Sequence, residues 1–187
     1  MLFRSDVTMT DLLSDRVSLD SFRGAVFVGG FSYADHSESA KGWAMTIRKH
    51  PELQIMFDTF KEREDTWSYG VCNGCQMVAL LGWTSSCDVL EKDRPRFIKN
   101  KSGKFESRYS TLLIPESHSI MFKGMAGSVL PVWSDHGEGQ VFADLELLAK
   151  MKSDGNVPVL YADNFGDETQ KYPFNPNGSP LAIAGFC

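Results

Sequence analysis

The sequence predicts a three-layer α/β domain with a mixed sheet. Three observations predict it. Short apolar runs alternate with amphipathic stretches in the order αβαα, β-α, several strands, then α-β. The run Ala25-Val26-Phe27-Val28, closed by Gly29-Gly30, is continuous rather than alternating, as in a buried parallel strand. The length of 187 residues fits one domain, residues 1–187, at ~150 residues each.

In chain order, Asp11 to Phe22 has helical spacing with mixed polarity, ahead of the Ala25–Val28 strand. Ser39 is placed to cap a helix running to about His50, with Trp43 and Ile47 on one face. Pro51 then punctuates the chain, and Leu53, Met56, Phe57 and Phe60 space like a second helix. Trp67 to Val71 reads as a strand, and Gly74 to Leu81 as a short helix ending at Gly82. Arg96–Asn100, Ser107–Leu113, Ile120–Phe122 and Ser128–Trp133 are strand-like, with Gly and Pro between them. Asp144 to Lys152 is a helix and Val157 to Tyr161 a strand. Tyr172 to Pro180 is a proline-rich loop, and Leu181 to Ala184 a last apolar run.

Composition excludes several function classes. Apolar residues make up 42% and charged residues 23%, which excludes wholesale disorder. A net charge of -5 argues against nonspecific nucleic-acid binding. No stretch approaches the ~18 apolar residues of a membrane helix, and the first residues lack the apolar run of a signal peptide. The four cysteines, Cys72, Cys75, Cys87 and Cys187, are too scattered for a disulfide framework, so the expected setting is reducing and cytoplasmic. Two glycosylation sequons, at Asn100 and Asn177, read as chance matches in that setting.

The segment Tyr69-Gly70-Val71-Cys72-Asn73-Gly74-Cys75-Gln76 reads as strand, sharp turn, helix. A nucleophile at such a turn is exposed on a strained elbow. Gly70 and Gly74 leave room for the turn, and the N–H groups of the following helix point at Cys72, which suits a reactive cysteine. The N–H of Asn73 is placed to hold an oxyanion. Spacing alone leaves two other readings open. Cys72 and Cys75 form a Cys-x-x-Cys, redox-active or half of a zinc site with Cys87 nearby, or else both are small buried apolar residues.

Several further segments resemble one family in the right order. They are the elbow with its following Val78-Ala79-Leu80-Leu81-Gly82-Trp83, Phe27 to Asp35 with Ser39-Ala40-Lys41-Gly42-Trp43, Asn100 to Arg108, His136-Gly137-Glu138-Gly139, and Pro176-Asn177-Gly178-Ser179-Pro180. Together they resemble the glutaminase domain of the formylglycinamide ribonucleotide amidotransferases, a class I, triad-type glutamine amidotransferase domain. The resemblance implies a flavodoxin-like fold with a mostly parallel sheet, and glutamine hydrolysis through a thioester at Cys72. It implies an oxyanion hole from the backbone N–H groups of Gly30 and Asn73. Gln76, Phe31 and the turn at His136 and Gly137 would bind substrate. It implies no cofactor or metal in this domain; ATP and Mg belong to a synthetase domain, the expected partner, to which the ammonia passes.

In that family a His-Pro-Glu segment follows the Asn-Gly-Ser-Pro loop after one more strand, its His the base and its Glu the orienting group. Here Gly185-Phe186-Cys187 comes first. The resemblance therefore implies a domain clipped at both ends and poorly active alone, since losing a triad base costs on the order of 10⁴-fold. The alternative expectation is a catalytically silent remnant that binds glutamine or docks on the synthetase. His36, His50, His118 and His136 are the histidines at hand, and each reads as a loop, helix-end or turn residue.

Overall fold

The computed structural model describes residues 5–84 and 89–187, the side chain of Asp35 excepted. The described chain forms two compact units, one up to Cys75 and one from Gln76 onward.

The first unit begins with α1 (Met9–Leu13), capped by a reciprocal Thr8–Asp11 capping box. The helical spacing of residues 11–22 is not realised as one helix. Asp15 takes a φ of 55°, which ends α1, and a single 3₁₀ turn follows at Leu19–Ser21. β1 (Gly24–Phe27) and β2 (Trp67–Gly70) pair in parallel, with Phe27 opposite Gly70. The parallel direction read for the first apolar run is therefore correct, but its burial is not: Phe27 is buried, whereas Val26 and Val28 are exposed.

Two helices cover one side of this pair. α2 (Lys41–Lys49) buries Ala44 and Ile47, and α3 (Pro51–Glu62) buries Leu53, Phe57 and Phe60 at helical spacing. Phe27 stacks on Phe57 with ring centroids 6.1 Å apart and meets the edge of Trp43 at 6.2 Å. This aromatic cluster fixes the height of β1 against the helices. Pro51 sits in the first turn of α3, where its missing N–H costs nothing. Ser39 does not cap α2. The chain enters through three left-handed residues, Glu38, Ser39 and Ala40, so the cap position falls on Ala40 and has no side-chain hydrogen bond.

α4 (Asn73–Leu81) follows β2 and continues into the second unit, where Met77 and Ala79 are buried. There β3 (Arg96–Ile98) pairs antiparallel with β6 (Gln140–Phe142). β4 (Glu106–Leu113), β5 (Val129–His136), β7 (Val159–Ala162) and β8 (Ile183–Gly185) form a four-stranded sheet in the order β5-β4-β7-β8. Every residue of β7 is buried, which explains its unbroken apolar sequence. α5 (Leu145–Ser153) is capped by Asp144, whose carboxylate accepts from the N–H groups of Glu146 and Leu147.

The α/β class and the mixture of strand directions agree with the expectation. Among the described pairings, however, only β1–β2 is parallel and the rest are antiparallel. In the four-stranded sheet β4 and β5 are joined by a loop with glycine turns at Gly124 and Gly127, a connection that favours an antiparallel ladder. The Ile120–Phe122 strand does not form. That segment is a turn, with the Met125 N–H donating to the Phe122 carbonyl and Gly124 and Gly127 at φ of 80° and 82°. Three apolar residues without a partner strand cannot hold an extended conformation.

Candidate active site

The first unit builds the elbow. β1 and β2 run side by side, and the Val71 N–H extends the ladder by donating to the Phe27 carbonyl at 3.0 Å. The chain then reverses at Cys72, which has a φ of 52°. A side chain in this left-handed conformation is strained, and such strain concentrates at functional sites. The Gly74 N–H closes the turn onto the Val71 carbonyl at 2.9 Å. Asn73, buried, is the first residue of α4.

Two glycines make this turn sterically feasible. A Cβ on Gly74 would fall 2.0 Å from the Phe27 carbonyl oxygen, and one on Gly70 would fall 2.9 Å from the backbone of Cys75. β1, β2 and the start of α4 thus touch through backbone, with no room for a side chain between them.

Cys72 is free and exposed, and its side chain lies over Gly29. A Cβ on Gly29 would stand 3.0 Å from the Cys72 Cβ and 3.7 Å from Sγ. Gly30 follows with a φ of 111°, a conformation suited to glycine alone. Phe31 is exposed and precedes a 3₁₀ turn at Ser32–Asp35.

Cys75 is unlike Cys72. Burial, reinforced by the nearby Cys72 sulfur, pushes its thiol up to about 12. A thiol that stays protonated is a poor attacking group. Cys87, the further thiol of the zinc reading, lies outside the described residues.

The second unit holds the other expected residues. Gln76 is buried, and its Nε2 donates to the Glu138 carbonyl at 2.7 Å. That carbonyl belongs to the turn His136–Gly139, which follows β5. The His136 ring packs directly on Gly139, where an added Cβ would come within 2.9 Å of it. Burial pushes the His136 imidazole below its ordinary range, with the Glu106 carboxylate opposing. Glu106 itself is held below the usual carboxylate range by the Ser102 hydroxyl and by Arg108. His36 is exposed in its loop. A His-Pro-Glu tripeptide does occur, at His50-Pro51-Glu52, but it opens α3 as cap, first-turn proline and first-turn acid.

Sequence reasoning passed over two residues. Gly29, not Gly30, lies beneath Cys72. Asn100 grips the His136–Gly139 turn, a role that its sequence motif does not signal. The signal for Gly29 is the doubled glycine after a short apolar strand, which needs one glycine for contact and one for φ.

Comparison with known proteins identifies the family. The profile of the CobB/CobQ-like glutamine amidotransferase domain matches residues 3–187. A probable phosphoribosylformylglycinamidine synthase, chloroplastic/mitochondrial, of Arabidopsis thaliana is 51% identical over 97% of this chain and 13% of its own length. The phosphoribosylformylglycinamidine synthase of Homo sapiens is 47% identical over 97% of this chain and 14% of its own. The chain thus spans about one seventh of the length of these relatives. A solved structure of PurLQS from Thermotoga maritima superposes with a TM-score of 0.61 at 23% identity, covering 89% of this chain and 63% of that one, a likeness of fold. The chain is a member of the CobB/CobQ-like glutamine amidotransferase domain family.

Proposed function

We propose that this chain is the glutaminase part of a phosphoribosylformylglycinamidine synthase and that both units belong to one glutamine amidotransferase domain. The observation that carries the reading is Cys72, an exposed thiol at positive φ between a parallel strand and a helix N-terminus. The relatives that share its sequence carry the synthase name.

In this reading Cys72 Sγ attacks the side-chain amide carbon of glutamine. A C–S bond forms, the C–N bond breaks, and ammonia leaves with the proton that the Cys72 thiol gives up. Water then opens the thioester, releasing glutamate and restoring the thiol. The N–H groups of Gly30 and Asn73 take the charge that develops on the amide oxygen. Phe31, Gln76 and the backbone at His136 and Gly137 hold the substrate. The ammonia serves ATP-dependent amidation of formylglycinamide ribonucleotide by a synthetase portion. ATP and Mg²⁺ are assigned there and not to residues of this chain.

Among the described residues no helix is long and apolar enough to cross a membrane. A cytoplasmic setting is part of the proposal, to be checked by cell fractionation, since the Arabidopsis relative is named chloroplastic/mitochondrial.

The test is labelling with azaserine, a glutamine-mimicking electrophile, read by intact mass and peptide mapping. A single saturable adduct on Cys72, blocked by glutamine, is the expected result. Equal labelling of every cysteine, or none, would overturn the reading.

A further inference from the structure

The second unit contains a buried polar cluster to which no role has yet been given. Asn100, Asn175, Asn177 and Ser179 are 3%, 1%, 2% and 1% exposed. Buried amides are costly unless their hydrogen bonds are made, so their pairing shows what they are for.

Asn100 follows β3, and three of its hydrogen bonds go to a single turn. Its backbone N–H donates to the Gly137 carbonyl at 2.9 Å. Its Nδ2 donates to the His136 carbonyl at 2.7 Å and to the Lys104 carbonyl at 2.9 Å. Its Oδ1 accepts from the Gly139 N–H at 2.9 Å. One residue therefore grips the turn at His136, Gly137 and Gly139, while Gln76 takes Glu138. Only a primary amide offers two donors and an acceptor in this arrangement. Aspartate would set a charge against two carbonyls, and a hydrophobe would leave both carbonyls and an N–H unsatisfied.

The other members brace the same turn from behind. Ser179 Oγ accepts from the Val141 N–H at 3.0 Å and donates to Asn177 Oδ1 at 2.6 Å, with the Gly139 carbonyl 3.4 Å away. Asn177 and Asn175 in turn hold Ser179. The cluster thus joins three loops through buried hydrogen bonds.

We infer that Asn100 is a positioning residue for glutamine, fixing the His136–Gly139 turn in its substrate-holding conformation. The inference rests on the proposal that this turn holds substrate. It assigns Asn100 no contact with glutamine.

The test compares the full chain with its Asn100→Asp variant. Azaserine labelling of Cys72 is followed against concentration, beside alkylation by iodoacetamide, which has no glutamine-like part. Asn100→Asp is expected to raise the half-saturating azaserine concentration about ten-fold, with the limiting rate and the iodoacetamide rate within about two-fold of wild type. Unchanged half-saturation would overturn the inference. So would a parallel fall in both labelling rates, which is the mark of a merely structural residue. Asn100→Ser keeps the backbone bond to Gly137 and carries the same expectation, and it is the variant read if Asn100→Asp does not melt cooperatively. Non-saturable labelling of the wild type is a separate outcome that overturns the glutaminase reading itself.

Discussion

Gly29 lies under Cys72, with space for a hydrogen but not for a methyl group: an added Cβ would stand 3.0 Å from the Cys72 Cβ. Gly29→Ala is therefore expected to displace the thiol rather than unfold the chain. Azaserine labelling of Cys72 should fall about ten-fold, with a stability loss near 1 kcal/mol in urea unfolding. Gly30→Ala fails differently. Its added Cβ meets nothing, but its φ of 111° is costly for any side chain. It should destabilise by roughly 1–3 kcal/mol through backbone strain. Labelling of Gly29→Ala at the wild-type rate would show that Gly29 does not set the thiol.

The two elbow cysteines should separate in their pH behaviour. The Cys75 thiol is pushed up from an ordinary value of 9.0 to about 12 by burial and by Cys72. It is therefore a neutral thiol throughout the range where alkylation is measured. Iodoacetamide should modify Cys72 and spare Cys75 in the folded chain up to about pH 10, and modify both in denaturant. Linkage gives the companion result. A group whose folded pKa is raised contributes stability that is complete below 9.0 and is lost as pH rises toward 12. Alkaline unfolding should accordingly set in above pH 9 and be delayed by Cys75→Ala. Modification of Cys75 at pH 8 in the folded chain would contradict this account.

Glu106, 4% exposed, is held by the Arg108 guanidinium, which also donates to the Tyr172 hydroxyl at 2.7 Å. The Ser102 hydroxyl and then Arg108 keep its carboxyl below the ordinary value of 4.5. A depressed carboxylate contributes stability above its unfolded pKa and loses it as pH falls through the folded one. Glu106→Gln should cost roughly 2 kcal/mol at pH 7. The gap between variant and wild type should close as pH drops below 4.5, measured by thermal melts across pH. A gap independent of pH would mean that packing, not charge, is what Glu106 supplies.

The elbow was legible in the sequence because its constraints are local. A strand, a positive-φ turn and a helix lie within Trp67–Leu81, and Gly70 and Gly74 mark where backbone must meet backbone. The boundaries of α3 and α5 were legible for the same reason: Pro51 and Asp144 act within their own first turns. The grip of Asn100 on His136 was not, since the partners lie 36 residues apart and no periodicity links them. Ser39 misled because capping chemistry says nothing about the left-handed entry that moves the cap to Ala40. The direction of pairing in β4, β5, β7 and β8 was also hidden, since alternation reports a strand's faces and not its neighbours.

The contact between Gly74 and Phe27 gives the strictest test of the elbow. The Phe27 carbonyl accepts from the Val71 N–H, and the same residue's ring is clamped between Phe57 and Trp43. β1 therefore cannot retreat to make room without breaking either the ladder or the aromatic cluster. A Cβ on Gly74 would lie 2.0 Å from that carbonyl oxygen, well inside van der Waals contact. In an ordinary helix Gly→Ala is favourable by up to about 1 kcal/mol. Here the clash dominates, and Gly74→Ala should destabilise by about 3 kcal/mol or more in urea unfolding. It should also free Cys72 from its turn, abolishing azaserine labelling even under conditions where the variant remains folded. A stabilised Gly74→Ala variant would mean that helix propensity outweighs this contact, and that β1 and α4 are not packed backbone to backbone.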